Sequence, residues 1–397
     1  MTTKVNTRFN PGPILMLAGI MFVTLLARII FSPLLLRIES DLGLSHSEAA
    51  TFFLLTSLGY CVTMVFSGYI SHRITHRTVI IVSAAICGAT LFVVGLSSSL
   101  WMIRIGLLFL GAGSGLYLPS GVATIYQSVD SRHWGKAIGI HELGPSASFI
   151  AAPVLAQFLV PLLSWRGLFV VLGVISLLLG TTFALVGRGG RFRGAKPNLH
   201  SLRELFSHPS AAFICIYFAL VGGSAIGVFS ILPTYLATER AMTEDSVNML
   251  MSVSRLSGPF MVFFAGWMID RTDVRMLFVG LFVALSVLTG IIGLAHNFPL
   301  TLVVFIQPLL NSAFFPTAFA LLARAVPSEL RNIAVSIAVS SAYLFGGGVV
   351  PTVMGILGES GNFWLGFVLL GGLLLACLFL LPFSKISKLK MGHGGEN

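Results

Sequence analysis

Charge is scarce in this chain. Only 10% of its 397 residues are Asp, Glu, Lys or Arg, whereas a soluble domain carries roughly 25%. With 56% hydrophobic residues and a mean hydropathy of +0.94, it cannot cover a water-facing surface, which excludes a soluble globular fold. Cysteine is scarce too. Cys61, Cys87, Cys215 and Cys377 all lie inside apolar runs with no CxxC pair, so neither a disulfide framework nor a metal site is expected. No GxxxxGK[ST] loop is present to cradle a nucleotide, and no His/Cys set has metal-ligand spacing. The chain is therefore not expected to be an enzyme or to hold a cofactor. Acids are outnumbered, 14 against 24 basic residues. The basic residues sit in short gaps between apolar runs without an aromatic–basic surface, so nucleic acid is not an expected partner either.

What the chain has in abundance is apolar runs of about 20 residues or more, the length of a helix crossing a hydrocarbon core of ~30 Å. They are not the ~10-residue alternating segments of an outer-membrane barrel. The first begins near Pro13 and reaches about Leu36, too long for a signal-peptide core, and is kept as a retained span. Twelve spans are expected, at about 13–36, 48–71, 78–97, 101–128, 135–160, 165–187, 210–236, 246–269, 276–295, 299–323, 332–357 and 362–383. The fold class is an all-α membrane protein in two pseudo-symmetric six-helix bundles, 1–187 and 209–397, joined by a basic linker at 188–208.

The two halves repeat one grammar. Gly68-Tyr69-Ile70-Ser71-His72-Arg73 returns 198 residues later as Gly266-Trp267-Met268-Ile269-Asp270-Arg271, and Pro153 returns as Pro351 at the same shift. Pro119 pairs with Pro316, and Ser131 with Ser328, one residue short of that shift. Such constancy marks two related halves, a construction that secondary transporters use. Orientation follows from the Lys and Arg count. With the N-terminus inside, three of the 24 (Arg37, Arg166, Arg240) fall in external gaps and three (Arg28, Arg104, Arg255) within spans. The other 18 are cytoplasmic, which places both termini in the cytoplasm of a cell bounded by this inner membrane.

These motifs resemble the major facilitator superfamily, over the whole chain. Gly68 to Arg77 is similar to its signature between the second and third helices, and Gly266 to Arg271, with Arg275, to the second copy. Gly144-Pro145 is similar to the Gly-Pro element of the fifth helix, and Ser164-Trp165-Arg166 opens the sixth as in many members. The resemblance implies alternating access, with Gly68, His72, Arg73, Arg77, Gly266, Asp270, Arg271 and Arg275 as gating residues. There are departures. His72 stands where the first signature has an acid, and Thr75-His76 where it has Gly-Arg. Arg104 lies seven residues before Gly111 rather than four, and Ile140 replaces the upstream Gly of the Gly-Pro element. A weaker or pH-sensitive first latch is expected.

Few ionisable side chains lie deep in spans: Arg28, Arg104, His141, Glu142 and Arg255. Each charge at the bilayer centre costs about 2.5–3.5 kcal/mol on insertion scales and needs a partner or a wet cavity. Thr24, Arg28 and Ser32 share one face of the first span, about 22 Å from its inner end; they line a cavity, or Arg28 snorkels outward. Arg255 lies roughly 13 Å from the outer surface, with Gly258, Pro259, Val262 and Gly266 making a slim face for close helix approach, or it is a packing residue bonded to carbonyls. In the superfamily the fifth and eighth helices face one another, which implies that Glu142 approaches Arg255, as a proton switch or a static pair. His141 lies about 100° around the helix from Glu142, so the two are expected to point apart. The dipeptide is not a zinc motif, since Pro145 occupies the place of the second ligand. His141 is a packing histidine or a proton carrier. Gln307 and Asn311, Tyr60 beside Thr56, and Tyr343 beside Ser336 and Ser340 form neutral stripes, either for ligand or for helix–helix hydrogen bonds. Glycine clusters at Gly222-Gly223 and Gly346-Gly347-Gly348 suggest bending or tight packing in the seventh and eleventh spans.

Two arginines against one acid favour an anionic cargo, because guanidinium groups bind carboxylates and sulfonates through paired hydrogen bonds. The expected protein is a monomeric, proton-coupled carrier of a small organic anion. Arg28, Arg255, Tyr60, Gln307, Asn311 and Tyr343 would contact substrate, and Glu142 with His141 would carry the proton. The alternative is a proton-driven exporter of amphiphilic or cationic compounds, with Glu142 as the drug or proton site. The bilayer, the substrate and protons are the expected partners.

Overall fold

The computed structural model describes residues 9–194, 209–327 and 330–380. These are helical almost throughout; the single strand-like feature among them is an isolated bridge between Thr75 and Arg193. Among the described residues, eleven helices are long and apolar enough to cross a membrane. The chain forms two compact units: Met1–Pro197 with Thr243–Ser252, and Asn198–Met242 with Val253–Asn397. Lys4, Arg8, Lys196, Arg203, Ser328, Lys385, Lys388 and Lys390 lie outside the described residues.

In the first unit, α1 (Gly12–Ile29) and α2 (Phe31–Leu42) meet at Ile30. Pro33 accounts for the interruption, since its ring removes the N–H that would bond residue 29 and clashes one turn back. Gly43 closes α2 in the left-handed conformation, at φ 64°, which a residue with a Cβ rarely adopts. Ser45 and Glu48 then form a capping box that starts α3 (His46–Arg73). α4 (His76–Leu96) and α5 (Leu100–Ser128) follow. Where α3 crosses α5, a Cβ on Gly111 would strike the Thr56 carbonyl and one on Gly115 the Tyr60 carbonyl. Only glycine permits that approach, and it sets the height at which Tyr60 is held. α6 runs from Trp134 to Val186, 53 residues or about 80 Å of helix, far more than one bilayer. Ser164 breaks it, with φ 59° and ψ 169°, three residues after Pro161; the sequence places its boundary at 160–165. Residues 243–252 also belong to this unit. Arg37 pairs with Glu244 at 2.7 Å, while Gln157 donates to Asp245 at 2.7 Å and accepts from Asn248 at 3.2 Å.

The second unit contains α7 (Pro209–Gly222), α8 (Val228–Thr238), the C-terminal end of α9 (Glu244–Ser254), α10 (Gly258–Arg271), α11 (Val274–Leu294) and α12 (Asn297–Ala325). It is completed by α13 (Arg331–Ser341), α14 (Val350–Gly358) and α15 (Phe363–Cys377). Both glycine clusters form π-helical segments, Gly223–Gly227 between α7 and α8 and Ala342–Val349 between α13 and α14. The two segments pack backbone to backbone: a Cβ on Gly346 would overlap Gly222, and one on Gly227 would meet the Gly346 carbonyl. The slim face expected on α10 holds only in part. Gly258 lies close to Ser312, but a Cβ on Gly266 would meet open space.

Candidate functional site

Within the first unit the residues singled out on α1 and α3 come together. The Arg28 guanidinium carbon lies 4.1 Å from the centre of the Tyr60 ring, close enough for a cation–π attraction of about 0.5–2 kcal/mol. Arg28 is half-buried, whereas Thr24, Ser32, Thr56 and Tyr60 are buried. The Thr24 carbonyl accepts from Ser114, and Thr56 spends its hydroxyl on the Phe52 carbonyl of its own helix. Of the stripe on α3, Tyr60 is the member drawn to Arg28.

Arg255 has a comparable setting in the second unit. Its guanidinium carbon lies 4.9 Å from the centre of the Phe229 ring on α8. Arg255 occupies the turn between α9 and α10, and Pro259 explains the turn. Proline cannot supply the N–H that the Arg255 carbonyl would take in a continuous helix. Gly258 donates to that carbonyl instead, at 3.2 Å. The arginine thus sits on a helix break, where side chain and backbone change direction together.

Gln307 and Asn311 are buried in the same unit. Gln307 Nε2 donates to the Ser224 carbonyl at 2.5 Å and to Ser224 Oγ at 2.9 Å, which engages both amide hydrogens. Ser224 Oγ also shares a hydrogen bond with Thr289 Oγ1, at 2.7 Å. Ser224 lies in the first π-helical segment, so Gln307 braces that widened turn. Asn311 Nδ2 donates to the Gln307 carbonyl at 3.2 Å, which fixes the amide orientation and leaves Oδ1 buried without a hydrogen bond among the described residues. Tyr343, half-buried, lies in the second π-helical segment.

His141 and Glu142 correct the sequence-based geometry. They do not point apart: His141 Nδ1 and Glu142 Oε1 are 3.3 Å from one another. The 100° between neighbouring Cα–Cβ directions is spanned by the glutamate's three rotatable bonds. His141 is wholly buried, while the Glu142 side chain is 53% exposed. On its other side His141 Nε2 meets Tyr117 Oη at 3.1 Å, with the rings stacked at 7°. Tyr117, Phe229, Ser224 and Thr289 were not singled out from the sequence. An aromatic or small hydroxyl residue inside a span carries no signal that separates it from ordinary core.

The two signature loops differ. In the first, the backbone of residues 190–194 lies along residues 71–77. His76 and Arg77 N–H donate to the Phe192 and Gly190 carbonyls at 3.0 and 2.7 Å, and Gly194 N–H donates to Ser71 at 2.8 Å. His72 Nδ1 donates to the Gly194 carbonyl at 3.2 Å. The Arg77 guanidinium caps the end of α6 through the carbonyls of Phe183, Ala184 and Gly187 at 2.5–2.9 Å, favourable charge at a helix C-terminus. Arg73 bonds Tyr69 at 2.7 Å, and Gly68 is exposed. In the second loop Asp270 and Arg271 are exposed, and Arg271 lies 4.8 Å from the Trp267 ring centre. Asp273 caps α11 by accepting from the Arg275 N–H at 2.8 Å; that bond holds its carboxyl below the usual carboxylate range. Asp130, between α5 and α6, is likewise lowered by hydrogen bonds from Arg132.

A family model described as the Major Facilitator Superfamily matches residues 17–243 and 214–390. The chain is 23% identical over 370 residues to the cis,cis-muconate transport protein of Acinetobacter baylyi, covering 86% of each chain. It is 22% identical over 369 residues to multidrug resistance protein MdtL of Shewanella oneidensis, covering 89% of this chain and 91% of that one. It spans 61% of the length of another relative, an uncharacterized MFS-type transporter of Bacillus subtilis. Among solved structures, a bacterial homologue of the human lysosomal transporter Spinster, inward-facing and unoccupied, superposes with a TM-score of 0.79 at 15% identity, over 96% of this chain and 98% of that one. The chain belongs to the Major Facilitator Superfamily of multi-pass membrane transporters.

Proposed function

We propose that this protein is a proton-coupled carrier of a small organic anion, a carboxylate or sulfonate, working by alternating access in the cytoplasmic membrane. Arg28 and Arg255 take the anionic groups, assisted by Tyr60, Tyr343 and the Asn311 amide, while Glu142 and His141 handle the proton. Twelve spans in two six-helix bundles, with both termini cytoplasmic, follow if the 53-residue α6 counts as two spans divided at Ser164. The observation that carries the reading is Arg28. A half-buried guanidinium in the middle of a span, 4.1 Å from an aromatic ring centre, keeps its planar fork oriented for a carboxylate. The relative that transports muconate, a dicarboxylate, supports an anion of this class. Gln307, first considered a substrate contact, is better read as a brace whose effect on substrate runs through Asn311 and the turn at Ser224.

The test is uptake of cis,cis-muconate and of sulfoacetate into proteoliposomes with an imposed proton gradient. Gradient-dependent uptake of either, lost in the Arg28→Ala/Arg255→Ala double variant, is expected. Uptake that survives the double substitution refutes the assignment. The multidrug relative keeps the exporter reading in view. Thermal stabilisation by cationic dyes, with none by organic anions, would decide for it.

A further inference from the structure

The hydrogen bonds around His141 fix how many protons its neighbourhood holds. Tyr117 Oη lies 2.5 Å from the Leu17 carbonyl oxygen and 3.1 Å from His141 Nε2. A phenol has one hydrogen and a carbonyl has none, so the phenol must donate to Leu17. Toward His141 the phenol oxygen is then an acceptor, and Nε2 must carry a hydrogen. The other nitrogen, Nδ1, faces Glu142 Oε1 at 3.3 Å. A neutral imidazole protonated at Nε2 presents a bare lone pair at Nδ1, and an ionised carboxylate presents only lone pairs. Two acceptors do not hold one another at that distance. A proton therefore sits between them, on Nδ1 with Glu142 ionised or on Oε1 with His141 neutral; the two forms have the same composition and no net charge.

We propose that this contact is the proton-loaded state of the carrier and that Tyr117 is the positioning residue that keeps His141 protonated at Nε2. The assignment of the cargo proton rests on the proton-coupled reading above; the tautomer does not. On unloading, one proton leaves from Nδ1 or Oε1 through the half-exposed carboxyl of Glu142. A neutral His141, still protonated at Nε2, and a Glu142 carboxylate remain. The contact between them loses its hydrogen, and Glu142 swings free to meet another partner.

Tyr117 belongs to an apolar cluster of Ile14, Leu17 and Ile20 from α1, Ile80 and Ala84 from α4, and Phe183 from α6. On the helix of the pair itself, the nearest base in sequence is Lys136, whose ammonium lies 4.8 Å from the centre of the Phe9 ring. Among the described residues, α1 contributes the Leu17 carbonyl and α5 the Tyr117 phenol, and α4 contributes only apolar side chains to the cluster.

The test reads the tautomer directly, from nitrogen spectra of the full-length protein labelled at histidine, in detergent, between about pH 5 and pH 8. The His141 signal is the one absent from His141→Asn. Nε2 carrying a hydrogen in the native protein is expected. In Tyr117→Phe, which keeps the ring and removes the acceptor, a mixture of both neutral tautomers is expected, and the midpoint of pH-dependent muconate uptake should shift. A native His141 with bare Nε2, or an unchanged tautomer in Tyr117→Phe, overturns the role of Tyr117. The expected tautomer combined with uptake indifferent to a proton gradient overturns the coupling and leaves the hydrogen-bond assignment standing.

Discussion

Each unit holds one of the two candidate arginines over an aromatic ring, but the helices exchange roles. In the first unit the arginine is on the first span and the ring on the second: Arg28 over Tyr60, 4.1 Å. In the second unit the ring is on α8 and the arginine follows it in sequence, between α9 and α10: Phe229 under Arg255, 4.9 Å. A shift of 198 residues carries Arg28 onto Ile226, in the π-helical segment, and Arg255 back onto Ser57. The repeat therefore conserves a device, a cation parked on a ring between two neighbouring spans, without conserving its residues. The surrounding backbone differs as well. Arg28 stands in the last turn of α1, still helical, just before the interruption at Ile30, whereas Arg255 stands on the break made by Pro259 itself. The first guanidinium is carried by the helix that precedes its break; the second is carried by the break itself.

If both cations serve substrate, single substitutions should cost alike. Arg28→Ala and Arg255→Ala are each expected to weaken muconate binding by about 1.5–3 kcal/mol, roughly 10- to 150-fold, as when hydrogen bonds to a charged group are lost. Titration of the purified protein checks this, and a loss confined to one of them would end the equivalence. Next in size, Gly346→Ala forces a methyl into the Gly222 backbone. A loss of about 1–3 kcal/mol in thermal stability is expected there, whereas Gly139→Ala, with open space around it, should change little. Gln307→Leu leaves the Ser224 carbonyl without its side-chain donor and should cost about 1–3 kcal/mol, seen as a lower melting temperature before any effect on transport is measured.

The rings give a finer comparison. Tyr60→Phe keeps the π face and Tyr60→Leu removes it, so only the second should lose the ~0.5–2 kcal/mol of cation–π attraction; Phe229→Leu should match it. The smallest effect is expected at Asp273. Its lowered carboxyl stabilises the fold above the unfolded-state value and loses that contribution as pH falls through the folded one. Asp273→Ala should cost about 1 kcal/mol as a lost helix cap and flatten stability against pH on the acid side.

Much of this was legible in the residues. Apolar run lengths place the spans and the break in α6 near where they are found, and the glycine clusters read as bending or tight packing coincide with the two π-helical segments. The polar stripe on α1 pointed to Arg28 because three polar side chains at helical spacing are rare in a span. Other features were hidden for physical reasons. Pro259 was read as part of a slim face, although its missing N–H was the signal for the break at Arg255. Gln307 was free to be a ligand in sequence; only the position of Ser224 shows that its hydrogens are spent. The His141–Glu142 contact was missed because backbone directions set where a side chain starts, not how far a long one bends.

The first unit also imposes an order on its own synthesis. Its signature loop is completed by residues 190–194, and its opposite end by residues 243–252, from the other half of the sequence. Chains fold from the N-terminus as they are made. Here the unit begun first is finished only after translation has passed Ser252, when α7 and α8 are already complete. A ribosome stalled between Gly194 and Thr243 would hold a first half with its signature loop strapped and the Glu244 partner of Arg37 still unmade.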